Sequence, residues 1–366
     1  MKIVISAWHL KNRNVGIGRY TYHLIESLGR VDRINHYDIL IPVTEHDFQP
    51  WPNVRYHVIR FPVFKRRVWE QLAPLMVGPY DILHFPYDSC IRVKRGKFIA
   101  TFHDAKPLLF PPPSKRWSWN DAVKTILTPR PLQQIDHIVT VSECSRRDLI
   151  EQMGIADDRM TVIYQGVDLK KFCPLAETPA ERYEFFPYVL CVAGTDPTKN
   201  VFNFIEAFSR LPAELRNQQH LVLVGDMHRN SLLQEFVKEQ GLVERTIFTG
   251  RVSDSQLVAL YQQASVFVFP SLYEGFGLPV LEAMACGCPV IASKTSALPE
   301  VVGEAGILVN PHHTEELVEA MTHVLTDPSL AQALRTKGRI QAEKFSWEKT
   351  ARATVDLYEK VGGGNT

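Results

Sequence analysis

The chain reads as an α/β protein made of two doubly wound, parallel-sheet, Rossmann-like domains. Three observations predict this. Short apolar runs alternate with amphipathic segments along the whole length, as in parallel strands joined by crossover helices. The alternation breaks once, near residues 169–187, where Lys, Pro and Glu gather as in a linker, and then starts afresh. Charge divides at the same place: residues 1–172 hold 25 Lys and Arg against 17 Asp and Glu, while residues 173–366 hold 16 against 23. The predicted domains are therefore 1–172 and 173–345. A basic half favours an anionic ligand or surface.

With 366 residues, 45% of them hydrophobic and 22% charged, the chain can build ample cores as a soluble globular protein. No apolar run approaches the ~20 residues of a membrane-spanning helix. The run after Met1 is too short for a signal peptide and reads as a strand, so a cytoplasmic location is expected. Six cysteines (Cys90, Cys144, Cys173, Cys191, Cys286 and Cys288) lie scattered in apolar contexts. Only Cys286 and Cys288 are close, with no second cluster, so neither a zinc site nor a disulfide framework is indicated.

In the first half, residues 2–6 form an apolar strand. A glycine loop over 12–20 follows, then an amphipathic run at 22–28. Strand, glycine loop and helix make a phosphate-friendly sequence. It is not a dinucleotide fingerprint, because Thr21 stands where a third glycine would follow Gly16 and Gly18. Residues 37–42 and 55–60 read as strands, and 64–76 as a helix with a basic start at Lys65–Arg67. Those cations are either a solvated face or an interfacial segment for anionic lipid; Lys115 and Arg116, beside tryptophans, form a second such cluster. Residues 81–86 and 97–104 are strands that end in histidines. In an open parallel sheet, the carboxyl ends of strands line the ligand crevice, so His103 stands where chemistry would occur. His84 is expected to be structural, and Asp104 to orient or cap. Residues 136–142 form a further strand, with Ser142 opening the next helix.

In the second half, residues 188–194 form a strand, 195–200 a turn and 201–211 a helix. Lys199 falls between a strand's carboxyl end and a helix N-terminus, where a cation would meet a diphosphate. Residues 220–225 are the next strand. The densest chemistry runs from Ser271 to Pro289. A buried strand at 265–269 ends at Pro270; Pro279 suits a first helical turn, and Gly287 suits a helix end. The loop from Glu274 to Gly277 has glycines that admit close backbone approach, and it feeds a helix N-terminus that favours an anion. Glu274 and Glu282 flank it, with seven residues between them. Carboxylates bind hydroxyls rather than phosphate, so donors for a phosphate between two hydroxyl acceptors describe a site for a sugar nucleotide. Residues 300–311 read as a turn and last strand, 313–326 and 328–343 as helices, and 345–360 as a final helix with Ser346 as its N-cap.

The stretch P-S-x-x-E-G-F-G-L-P-x-L-E-A-M-A-x-G over 270–287 resembles the retaining glycosyltransferases of family 4, and the resemblance runs through most of the chain. It implies GT-B architecture: two domains facing across a cleft, an acceptor-binding first domain joined by the helix 346–361, and a nucleotide-sugar-binding second one. It implies that Glu274 holds donor-sugar hydroxyls with the N–H groups of Gly275, Phe276 and Gly277, that Leu278 lies beside them, and that Glu282 accepts from the ribose. Lys199 and Gly18 would face the diphosphate, with Gly194 close by. Arg251 and Val252 resemble the loop at the nucleobase edge. His103 would lie near donor sugar and acceptor, and Arg19 and Asp104 are acceptor-side candidates. Glu274, His103 and Lys199 are the implied catalytic set.

Two departures stand out: Thr198 replaces a usual arginine, and Gln165 a usual asparagine. No metal-binding acidic motif stands at a strand end, so no cofactor and no essential metal is expected. GDP-mannose leads the donor candidates, with a glycan or lipid-linked acceptor of polysaccharide or O-antigen type, peripheral contact with an anionic membrane surface, and no nucleic acid. A sugar-nucleotide epimerase, a nicotinamide oxidoreductase and a silent sugar-nucleotide-binding module remain as rivals.

Overall fold

The computed structural model describes residues 1–12, 16–42, 47–60, 66–89, 95–111, 132, 134–175 and 183–363. The chain separates into two compact units, one of residues 1–166 with 347–366 and the other of 167–346. The boundary lies a few residues before the expected position 172. The physical reason is local: the Val167 N–H donates to the Phe345 carbonyl (3.1 Å), and the Phe172 ring packs beside Tyr261, so this stretch belongs to the second unit.

The first unit holds a seven-stranded parallel sheet: β1 (Lys2–Ser6), β2 (His36–Ile41), β3 (Val54–Val58), β4 (Ile82–Phe85), β5 (Lys97–Phe102), β6 (His137–Thr140) and β7 (Met160–Val162). Their spatial order is β3-β2-β1-β4-β5-β6-β7. β4 and β6 are buried along their length and β1 from Ile3 onward, which is why they read as continuous apolar runs. The helix Glu143–Met153 starts as expected: Ser142 accepts the Ser145 N–H at 3.0 Å, and Gly154 ends it in the left-handed region. The last helix, Trp347–Gly362, lies in this unit. Trp347 stacks on His23, and the Tyr358 hydroxyl bonds His84 Nδ1 at 2.6 Å.

Three first-unit expectations change. The first helix begins at Gly16 and runs to Val31, so Gly18 and Arg19 lie in its first turn rather than in a glycine loop. Among the described residues, the helix expected over 64–76 is α-helical over Arg66–Leu72 and does not continue as such to 76. Pro74 lacks the N–H that would continue it, and the chain tightens into a 3-10 turn over Ala73–Met76. Arg66 is not a solvated charge: its Nε donates to buried Glu70 at 2.6 Å, and its guanidinium lies 4.9 Å from the Tyr87 ring centre. Lys65, the Arg67 side chain, Lys115, Arg116 and Cys90 lie outside the described residues.

The second unit holds six parallel strands: β8 (Tyr188–Val192), β9 (His220–Val224), β10 (Thr246–Gly250), β11 (Val266–Phe269), β12 (Val290–Ser293) and β13 (Ile307–Val309). Their order is β10-β9-β8-β11-β12-β13, a doubly wound sheet whose order reverses between β8 and β11. Its core gathers Val189, Phe204, Phe208, Leu223, Val268 and Met321. The turn expected near residue 300 is a short helix, Leu298–Val302, closed by Gly303 at φ +54°, and strand structure starts only at Ile307.

Candidate active site

The loops after β8 and β11 meet at the reversal point of the second sheet. After β8, Asp196 Oδ1 accepts from the Thr198 N–H (2.9 Å) and the Thr198 hydroxyl (2.7 Å), which shapes the turn Pro197–Lys199. Asn200 follows in the left-handed region, and its amide donates to the carbonyls of Pro270 (3.1 Å) and Pro311 (2.7 Å). The Leu272 N–H donates to the Thr198 carbonyl at 2.7 Å. These bonds splice one loop to the other. They deliver Lys199 Nζ to Glu274 Oε1 at 2.5 Å, with side chains 23% and 15% exposed. The ammonium also lies 5.4 Å from the Phe269 ring centre.

Glu274 is held from behind as well, because its N–H donates to Ser296 Oγ at 3.0 Å. Phe276 is buried against Phe345. Gly277, at φ +117°, makes the corner into the helix Leu278–Ala285, with Pro279 in its first turn. That helix ends as the sequence predicts. Gly287 N–H donates to the Met284 carbonyl and Cys288 N–H to the Ala283 carbonyl, both at 2.9 Å, with Gly287 left-handed. The loop thus presents a carboxylate, an ammonium and a helix N-terminus together, a grouping suited to hydroxyls beside a phosphate. A side chain added at Gly194, in the loop after β8, would meet nothing within 4 Å.

Glu282 sits differently from Glu274. It is buried, 4% exposed, and its Oε2 accepts from the Tyr261 hydroxyl at 3.4 Å. Arg251, exposed after β10, donates from Nε to Asp226 Oδ2 at 2.6 Å. Half-buried Val252 precedes a capping box in which Ser253 and Gln256 satisfy each other's backbone N–H. Sequence reasoning missed Asp196, Ser296 and Asp226. A D-P-T turn signal marked Asp196; nothing local marked Ser296 or Asp226, whose partners lie more than twenty residues away.

In the first unit, half-buried His103 follows β5. Its Nε2–H donates to the Pro86 carbonyl at 3.1 Å, so the neutral ring carries its lone pair on Nδ1, and burial pushes its pKa down. Tyr20 meets it edge-on with ring centres 4.7 Å apart. Asp104 Oδ1 accepts the Lys106 N–H at 2.9 Å, just ahead of the short helix Lys106–Leu109, whose N-cap is Ala105. Gly18 is buried, and Arg19 is half-exposed on the same helix turn. His84 is structural, buried between the Tyr358 and Thr101 hydroxyls, with its pKa pushed down to about 3 by burial. Among the described residues, no group of three or more His, Cys, Asp or Glu side chains could hold a metal ion.

Two family models match in tandem: Glycosyltransferase Family 4 over residues 15–171, and Glycosyl transferases group 1 over residues 179–341. The chain belongs to the family 4, group 1 glycosyltransferases. This glycosyltransferase is 29% identical to the O-antigen chain mannosyltransferase B of Escherichia coli, over 98% of its own length and all of that protein. It is 34% identical to the serotype-specific mannosyltransferase WbdA of Escherichia coli over 63% of its own length, and that match spans only 29% of WbdA. Among solved structures it resembles sucrose-phosphate synthase from Thermosynechococcus elongatus, with a TM-score of 0.77 and 24% identity over the full length of both chains. That likeness is one of fold, the GT-B class of two parallel-sheet α/β domains.

Proposed function

We propose that this glycosyltransferase moves mannose from GDP-mannose, with retention at the anomeric carbon, to a glycan or lipid-linked acceptor in O-antigen or polysaccharide synthesis. The observation that carries the reading is the Lys199–Glu274 pair at the head of the helix Leu278–Ala285. Glu274 accepts from donor-sugar hydroxyls. Lys199 has three N–H donors, and one serves Glu274; the others face the diphosphate. As the bond from C1 to the leaving oxygen breaks, charge grows on the diphosphate. The ammonium and the helix N–H groups meet it already oriented, without help from a metal ion. Gly194 leaves room for a donor to approach the backbone, and Glu282 serves the ribose. The neutral His103, with its Nδ1 lone pair, serves the acceptor side. The mannosyl assignment draws its support from the two mannosyltransferase relatives.

Peripheral contact with an anionic membrane surface, on the cytoplasmic side, belongs to the same proposal. The basic first half supports it, as do Val68, Leu72 and Met76, exposed at intervals of four along the helix Arg66–Leu72 and the turn after it. No helix among the described residues is long and apolar enough to cross a membrane.

The test is a transfer assay that offers GDP-mannose, GDP-fucose, UDP-glucose and UDP-galactose with an α-mannoside acceptor. GDP-mannose is expected to be the productive donor. Glu274→Ala and Lys199→Ala are each expected to lower kcat by ~100-fold or more while the far-UV dichroism stays unchanged. Turnover that persists in both variants would remove this site from the reaction.

A further inference from the structure

The second sheet has the strand order of a nucleotide-binding fold, with β8, β9 and β10 in the places of its first three strands. With phosphates at the reversal between β8 and β11, a nucleoside in this topology extends over the ends of β9 and β10. Two charged residues stand there. Asp226 follows Gly225 at the end of β9, and Arg251 follows Gly250 at the end of β10. Their turns are tied together, because the Gly225 N–H donates to the Gly250 carbonyl at 2.9 Å. Arg251 Nε donates to Asp226 Oδ2 at 2.6 Å, with the side chains 67% and 38% exposed. An ion pair this open adds little to stability, so packing does not account for it. The contact uses one carboxylate oxygen and one guanidinium nitrogen. Asp226 Oδ1 and both Nη groups of Arg251 make no other hydrogen bond or ion pair among the described residues.

We propose that the Asp226–Arg251 pair reads the base of the donor and selects guanine. The proposal rests on the nucleotide-sugar reading above and deepens it. A carboxylate beside a guanidinium offers acceptors followed by donors. The pairing edge of guanine offers the complement in order: the N2 and N1 hydrogens, then the O6 acceptor. Arginine on O6 and a carboxylate on ring N–H groups are standard matches of charge and shape. Uracil sets its O2 acceptor against the carboxylate. Adenine and cytosine invert the pattern, turning an acceptor toward Asp226 and an amino group toward Arg251. A mismatch of this kind leaves charged groups unpaired once the base covers them, which is the stronger basis of discrimination.

The experiment is calorimetric titration of the full chain, at fixed salt, with GDP, inosine 5′-diphosphate and UDP. Inosine differs from guanosine only in lacking the N2 amino group. The wild type is expected to bind GDP about tenfold or more tightly than inosine diphosphate, and UDP more weakly still. Asp226→Ala is expected to bind GDP and inosine diphosphate within about twofold of each other. The near-isosteric Asp226→Asn should lose most of the GDP preference with an unchanged unliganded Tm, which separates lost recognition from lost folding. A wild type with no preference for GDP over inosine diphosphate, or variants that keep that preference, would overturn this proposal alone. A wild type that prefers UDP would overturn the GDP-mannose assignment together with it.

Discussion

At the residue scale, the site and the core use ionisable groups in opposite ways. Lys199 and Glu274 pair an ammonium directly with a carboxylate. His84 lies buried between two hydroxyls, which supply hydrogen bonds but no counter-charge, so burial pushes its pKa down to about 3 from the ordinary 6.5. The sign follows directly. Between those values the unfolded chain binds a proton at this histidine and the folded chain does not, so stability rises with pH across the window. It is fully present above about pH 6.5 and declines as the pH falls toward 3, by at most about 1.4 kcal/mol per pH unit from this group. Half-buried His9, pushed down to about 4 by burial and by Arg66, adds in the same direction. His84→Asn is expected to flatten the fall in Tm between pH 6.5 and 4. Equal slopes in variant and wild type would show that His84 does not drive the acid sensitivity.

At the element scale, the motif helix Leu278–Ala285 tests how far sequence signals reach. Its start at Pro279 and its end at Gly287 were both legible, because proline and glycine act through their own backbone geometry and need no distant partner. Gly287 offers a clean measurement. Its φ is +74°, yet an added Cβ would meet nothing closer than 3.7 Å. Gly287→Ala is therefore expected to cost ~1–2 kcal/mol by backbone conformation alone, read as a lower denaturation midpoint with an unchanged slope. Gly277 is different: an added Cβ would lie 2.7 Å from Leu298 Cδ2, so crowding joins the φ penalty there. The elements that were misread share one cause. The glycines at 16 and 18 suggested a loop, but Gly18 is buried in a helix whose later turns hold Leu24, Ile25 and Leu28 in the core. Packing of those turns outweighs the cost of glycine in a first turn. Likewise the basic start of the helix reads as a solvated face or an interfacial segment, and only the approach of Glu70 and Tyr87 shows where Arg66 goes.

At the scale of the whole molecule, the chain order and the structural units do not coincide. Residues 347–366 complete the first unit after the second has been built. The helix Trp347–Gly362 buries Tyr358 against His84 and Tyr37, and sets Trp347 against Tyr20 and His23. A chain stopped at Ser346 would leave those rings without their partners. It is expected to lose hydrogen-exchange protection across β1, β2 and β4 while the strands of residues 167–346 keep theirs. Protection unchanged in the first sheet would mean that this helix is an appendage rather than part of the core. The sequence by itself determined two series of parallel strands, their separation by charge and linker, and the motif over 270–287. Each of these is local, written in apolar periodicity or in proline and glycine. Only the tertiary structure decided that Lys199 meets Glu274, seventy-five positions away, and that Asp226 meets Arg251. Periodicity says which residues are buried; it does not say which strands are neighbours. These pairs exist because β8 adjoins β11 and β9 adjoins β10.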